Sequence, residues 1–494
     1  VEQKKSRQQP ARSLAESVNC MNAGCLWLSS AFLVLGTVLM VPHGDFRTPE
    51  GVPSFWLGAI AMSFGFVLSW LLTSVRGWWF WGVAIALRLL LLQMYPGDDI
   101  WRYLWEGSIQ NLGFSPYELP PDAIALIPHR TEWWSNINHL DTTAIYPPLT
   151  QLGFRFLAVI SPSVLLFKLS FTLADILTCW LLSRRFGYLN ATFYAWNPLI
   201  LYSFAGGGHY DAWFVLPLVA AWILLNPPDP AKEPGANFMQ ALRVAFADEY
   251  EELEPPPNRQ LRPQIPDWCW LSSALLLGVS AAIKWMSLPL LSFLVWQAIR
   301  KTRAKLALLV LLCGLLPMVL FALPFCHGSE CSLIPTSSVF VSHGRSAEFL
   351  PYFLGKFWSR TRDANWIYLI PLGAIGAGML WKIRHFQPFA EVYFFILLLI
   401  SPIIHAWYFT WLIPFAVASR NVGTYWLSLS AFIYFALPHR QSLGDPSWFL
   451  SETERLWLWL PLIAGWVWTV VSGEGVGSRE SGVGGQGRQR ETFH

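Results

Sequence analysis

Asp98 and Asp99 are adjacent carboxylates that follow directly on an apolar stretch, Trp78 to Tyr95, and open the run GDDIWRYLWEG. The chain around them is 54% hydrophobic and only 13% charged, so two acids at the mouth of a membrane span carry desolvation and repulsion that mark them as functional. The plainer reading is a solvated helix cap, since Asp favours the first turn of a helix. One carboxylate so placed can take the proton of an incoming hydroxyl as a general base. Its neighbour can orient it, bind the acceptor, or share a divalent cation such as magnesium or manganese.

Other candidates are scattered, and each has a structural alternative. Lys284 falls at the end of an apolar segment, where it can hold a phosphate or simply snorkel to the interface. His405, beside Trp407 and Tyr408, is a ligand or part of an aromatic belt. His209 and Asp211 follow Gly206-Gly207-Gly208. They read as a turn and cap, or as a site where glycines let backbone amides approach a phosphate. Arg345, in Ser342-His343-Gly344-Arg345, is a phosphate ligand or a solvated loop residue. Arg88 and Asp175 lie inside spans and read as a structural charge pair. The seven cysteines show no paired CxxC metal spacing; only Cys326 and Cys331 share a loop, and they can pair if it faces an oxidising compartment.

These residues need a scaffold, and composition says which kind. With a mean hydropathy of +0.39 and apolar runs separated by turn residues, the chain is expected to be all-α, a polytopic membrane bundle of about 12 to 14 helices. Candidate spans start near residues 24, 55, 78, 163, 188, 210, 268, 285, 306, 364, 389, 406, 422 and 455. The segments 285–299 and 406–418 are short enough to be bent or partly embedded. A net charge of +3 without a basic, aromatic-laced patch argues against a nucleic-acid partner.

Lys and Arg in the short connections set the orientation. The basic N-terminus (1–23), Arg76, Arg184-Arg185, the basic cluster from Arg300 to Lys305, Lys382, Arg384, Arg420 and the tail fall on one side, which is expected to be cytoplasmic. The loops 96–148 and 325–362 then face outward, with the Lys284, His405 and His209–Asp211 turns. The membrane domain runs over 24–471. A proline-rich, acidic cytoplasmic insert is expected over 226–266, and a disordered Gly/Ser/Arg tail over 472–494. In the first outer loop, Ile100, Tyr103, Leu104 and Gly107 follow helical spacing, so Asp99 leads into an interfacial amphipathic helix whose polar face holds Arg102 and Glu106.

The order of motifs resembles the GT-C type polytopic glycosyltransferases that use lipid-phosphate sugars. It is similar to the first mannosyltransferase of GPI-anchor assembly and to the bacterial polyprenyl-phosphate-mannose-dependent mannosyltransferases. The likeness runs through the acid pair, Gly113-Phe114-Ser115-Pro116-Tyr117, Tyr146-Pro147-Pro148-Leu149, Trp196-Asn197-Pro198-Leu199, Gly208-His209-Tyr210-Asp211, Ala282-Ile283-Lys284 and Ser401 to Tyr408. Tyr210 and Ala406 depart from the bacterial pattern, which often has Asn and Pro there. The resemblance implies a polyprenyl- or dolichyl-phosphate sugar donor, a hexose that is most often mannose, and a glycan or glycolipid acceptor. It implies an inverting transfer on the periplasmic or luminal face of a bacterial plasma membrane or the ER membrane. Counting back from Ser115-Pro116-Tyr117 aligns Asp99 with the base and leaves Asp98 beside it. Arg102, Tyr146, His209, Asp211, Lys284, Arg345 and His405 are then the expected substrate and lipid-phosphate ligands. The rival is a transporter or flippase of lipid-linked sugars, in which the same acids couple protons or bind substrate; the lack of internal symmetry counts against it.

Overall fold

The computed structural model describes residues 2–226, 265–326 and 339–479. All but the ends of the insert expected over 226–266 lie outside the described residues, as does Cys331. Cys326 is disulfide-bonded. Among the described residues every regular element is helical. The final helix, Glu452–Arg479, continues into the stretch read as a tail.

Among the described residues five helices are long and apolar enough to cross a membrane: Cys20–His43, Gly51–Ser69, Val164–Ala195, Ala304–Phe325 and Glu452–Ser472. Six shorter apolar helices accompany them, Gly77–Leu91, Pro148–Ile160, Asp211–Leu225, Asp267–Ile283, Phe386–Ile400 and Ala406–Ser419. Leucines and valines such as Leu308, Leu312 and Val319 stay exposed on these helices, as a lipid-facing surface requires. Lipid gives apolar helices no hydrophobic reason to associate, so close approach of small residues has to do that work. At Gly278 an added Cβ would lie 2.1 Å from the Gly314 carbonyl oxygen, which shows how tightly those two helices cross.

Two breaks match the expected boundaries. Gly187 (φ 79°, ψ 162°) interrupts Val164–Ala195 where separate spans were expected near 163 and 188. The segment near 406 is a 3-10 turn, Ala406–Trp411, leading into the short helix Ile413–Ser419. The helix Pro148–Ile160 was not expected as a span, because Thr150, Gln151 and Arg155 interrupt its apolar run. Arg88 and Asp175 do pair, at 2.7 Å and almost wholly buried, and Arg88 also donates to the Ala84 and Ala195 carbonyls at 2.9 Å. This pair locks Gly77–Leu91 to Val164–Ala195 behind the acid pair.

The expected amphipathic helix is Asp99–Asn111, and it lies flush on Pro148–Ile160. A Cβ at Gly107 would come within 2.4 Å of the Phe154 carbonyl oxygen, so only glycine permits that contact. The face expected to be polar and interfacial is instead buried. Glu106 accepts from Gln151 Nε2 at 2.6 Å and from Arg102 Nε at 2.8 Å. Helical spacing cannot tell a solvated face from one covered by another part of the chain. Over the helix, the 96–148 loop builds a small core of its own from Trp105, Ile109, Leu126 and Ile137.

Candidate active site

The turn that carries the acids is held from two sides. Lys168, fully buried, donates to the carbonyls of Leu91, Leu92 and Met94 at 3.1, 3.1 and 2.7 Å, satisfying acceptors that the end of Gly77–Leu91 leaves open. The Gly97 amide donates to the Gly207 carbonyl at 2.8 Å. Gly208 takes a left-handed φ of +75°, and a Cβ there would sit 2.8 Å from Ile100 Cδ1. The three glycines therefore let one backbone turn lie against another, and His209 is delivered to the acids by that contact.

His209 Nδ1 stands 3.6 Å from Asp99 Oδ2. Asn138 Nδ2 donates to Asp99 Oδ1 at 2.9 Å and to Asp98 Oδ2 at 3.3 Å, and the Tyr103 hydroxyl donates to Asp99 Oδ2 at 3.4 Å. The Asp99 side chain is 18% exposed, so a substrate can reach it. Burial pushes Asp99 up, but His209, His405 and Asn138 together outweigh it and hold its carboxyl below the usual carboxylate range. Asp98 presents surface to solvent yet has protein packed around it; desolvation, then the charge of Asp99, pushes it up. The two acids are thus pulled apart in proton affinity, with Asp99 the ionised member. Such a split is how two neighbouring acids acquire different roles.

Lys284 does not snorkel. Its helix, Asp267–Ile283, ends one residue earlier, and Lys284 adopts an extended conformation that turns its ammonium inward. Nζ lies 2.7 Å from Asp211 Oδ1 and 5.1, 4.4 and 4.7 Å from the ring centres of Tyr210, Tyr408 and Trp411. Trp411 Nε1 donates to the same Asp211 oxygen at 2.6 Å, while Asp211 Oδ2 is buried with no hydrogen-bond partner among the described residues. The imidazoles of His209 and His405 both stack on Trp407, at 3.7 and 4.6 Å between ring centres, and His405 Nδ1 meets the Tyr434 hydroxyl at 2.6 Å. Burial pushes His405 down to about 4, so it is neutral near pH 7. Tyr146 joins the two halves, with its ring 5.3 Å from both Tyr103 and Tyr210. The charges of Asp99 and Lys284 both reach His405, and that of Asp99 also reaches Lys284. Residues spread from 98 to 405 therefore form one group.

Two expected ligands fall outside that core. Arg102 has each of its five N–H donors occupied, by Glu106 and by the carbonyls of Asn138, His139, Thr142 and Thr143. It has none to offer a phosphate and acts as a strut of the 96–148 loop, which corrects the role expected for it. Arg345 donates to the Thr361 carbonyl and lies over Tyr368. Its neighbour Ser346 is tied to the Ile404 backbone, so the Arg345 segment borders the His405 turn. Asn138, Trp411, Tyr434 and Lys168 were not singled out from the sequence; nothing in their spacing distinguishes them from ordinary loop or span residues. Among the described residues no group of three or more His, Cys, Asp and Glu side chains is arranged to hold a metal ion. Asp98 and Asp99, the ligands expected for any such ion, both accept from the Asn138 amide.

A membrane-spanning helical bundle with an ionised carboxylate, a caged lysine and stacked histidines at one end has the parts of a membrane glycosyltransferase. Residues 9–300 match the model of the MptA_B family, described as alpha-(1->6)-mannopyranosyltransferase, N-terminal domain. That is more than half of the 494 residues, and the chain belongs to this family. It is a mannosyltransferase, a membrane enzyme that takes a sugar donor and an acceptor. The matched stretch contains the acid pair, Asn138, His209, Asp211 and Lys284; His405, Trp407, Trp411 and Tyr434 come from beyond it. No curated protein and no solved structure matches the chain.

Proposed function

We propose that the enzyme transfers mannose from a polyprenyl- or dolichyl-phosphate mannose to a hydroxyl of a glycan or glycolipid acceptor, with Asp99 as general base. The observation that carries this reading is the placement of an ionised, partly exposed Asp99 in the same group as the Lys284 ammonium. The acceptor oxygen attacks the anomeric carbon while the bond from that carbon to the phosphate oxygen breaks. The bonding pair leaves with the phosphate, and the hydroxyl proton passes to Asp99. Lys284, held by Asp211 and three aromatic faces, meets the charge that grows on the departing phosphate. Such a direct displacement inverts the anomeric centre, so an α-linked product requires a β-linked donor.

The Lys and Arg distribution supports the sidedness. In the topology read from the sequence, Arg76, Arg184, Arg185, Arg300, Lys301, Arg303 and Arg420 fall on the side opposite the acids, which supports a reaction on the periplasmic or luminal face of a bacterial plasma membrane or the ER membrane. The test is to give purified, reconstituted enzyme a synthetic β-linked polyprenyl-phosphate mannose and a mannoside acceptor. Free polyprenyl phosphate released in step with mannosylated acceptor is the expected result; donor carried intact across the bilayer would replace this reading with a flippase.

A further inference from the structure

Asn138 sits on a turn that the protein strains and clamps. The next residue, His139, has φ +47°, a left-handed conformation unusual for a side chain other than glycine. Arg102 holds the turn by donating to the Asn138 and His139 carbonyls at 3.0 Å each and to those of Thr142 and Thr143. The side-chain amide is oriented by its partners: its nitrogen donates to both Asp99 and Asp98, and the reversed amide would set an oxygen against two carboxylates. Asn138 Oδ1 is therefore turned away from the acids. It is buried, with no hydrogen-bond partner among the described residues. A buried acceptor on a clamped loop, with no donor to meet it, is unfavourable unless a ligand supplies one.

We propose that Asn138 contacts the substrate, with Oδ1 accepting a hydrogen bond from the acceptor-sugar hydroxyl that neighbours the one deprotonated by Asp99. Oδ1 and Nδ2 share one amide carbon, so Oδ1 lies within roughly 5 Å of the Asp99 carboxylate, the sum of an amide and one hydrogen bond. Adjacent ring hydroxyls can span that distance. The donor's phosphate belongs with Lys284, which leaves the Asn138 side of Asp99 to the acceptor. The same amide that steadies the acids thereby reads which hydroxyl is presented to them. This inference rests on the transfer reading above.

The experiment compares wild-type enzyme with Asn138→Ala and Asn138→Asp on a mannoside acceptor and its single-deoxy analogues, with thermal melting in detergent as the check on folding. With wild-type enzyme, one analogue lacking a hydroxyl next to the attacked position should lose at least about 10-fold in kcat/KM, because an acceptor built for that hydroxyl goes unmet. Asn138→Ala should treat that analogue and the parent acceptor alike, with a raised KM for acceptor and an unchanged KM for donor. Asn138→Asp keeps an acceptor oxygen but sets its second oxygen against Asp98 and Asp99, so turnover should fall steeply while the transfer that remains keeps the wild-type preference among analogues. Equal deoxy penalties in all three proteins would overturn the inference alone. Failure of the wild type to glycosylate the parent acceptor would overturn the transfer reading and this inference with it.

Discussion

Replacing Asp99 by Asn removes one proton acceptor and changes little else. The amide can still accept from Asn138, at the position where Asp99 Oδ1 now receives a 2.9 Å bond. What disappears is the charge, and with it the attraction to His209 at 3.6 Å. That partner is an imidazole and the carboxylate is 18% exposed, so the loss to stability should stay at or below about 1 kcal/mol. The loss to the reaction is much larger. General-base removal lowers turnover about 10²- to 10⁴-fold, or roughly 3 to 5.5 kcal/mol of barrier. Release of radiolabelled mannose from the lipid donor onto acceptor gives kcat. Equilibrium binding of a non-transferable donor analogue gives affinity, which should change less than about threefold if Lys284, as proposed, meets the phosphate. Asp98→Asn should be milder in kcat, since Asp98 is the acid pushed towards its protonated form. Near-normal turnover by Asp99→Asn would refute the assignment of the base. Equal loss in both variants would make the pair, rather than Asp99, the catalytic unit.

Lys284→Met should weaken donor binding and leave Asp211 buried and unpaired, destabilising the protein by about 3 to 5 kcal/mol. Lys284→Met with Asp211→Leu should recover melting temperature in detergent but not transfer; recovery of both would reduce the pair to a structural one. Gly208→Ala forces a side chain into a left-handed turn 2.8 Å from Ile100, so His209 should swing off Asp99 and kcat should fall about 10-fold or more, measured by transfer rate. His405, pushed down to about 4 by burial, should stay neutral from about pH 5 to about pH 8 and add no limb to the kcat profile there. Its folded pKa lies below the unfolded value of about 6.5, so the unfolded chain binds the extra proton and stability should fall as pH drops from about 6.5 towards about 4. Melting temperature against pH for wild type and His405→Asn checks this; parallel curves would contradict it.

The site was legible where a residue type was out of place. Two acids beside an apolar span, a lysine ending another and a histidine after three glycines stand out in so apolar a chain, because burying such groups is unfavourable without a purpose. The same logic found Arg88 with Asp175. It failed for Arg102, because a polar stripe on a helix looks the same whether water or loop carbonyls face it. Asn138 was invisible, since a polar residue in a polar loop is ordinary until the fold sets its amide against two carboxylates. Trp411 and Tyr434 were hidden among many other interfacial aromatics, and only the packed bundle shows that they hold Asp211 and His405. Pro148–Ile160 escaped as a helix because Gln151, which serves Glu106 from within it, breaks the apolar run by which spans are recognised.

A single displacement assisted by Asp99 fixes the stereochemistry of both donor and product. Purified enzyme should accept β-linked but not α-linked polyprenyl-phosphate mannose, and nuclear magnetic resonance of the product should show only the α-mannoside. A β-linked product from the β-linked donor, or a mannosyl group trapped covalently on Asp99 or Asp98, would contradict it.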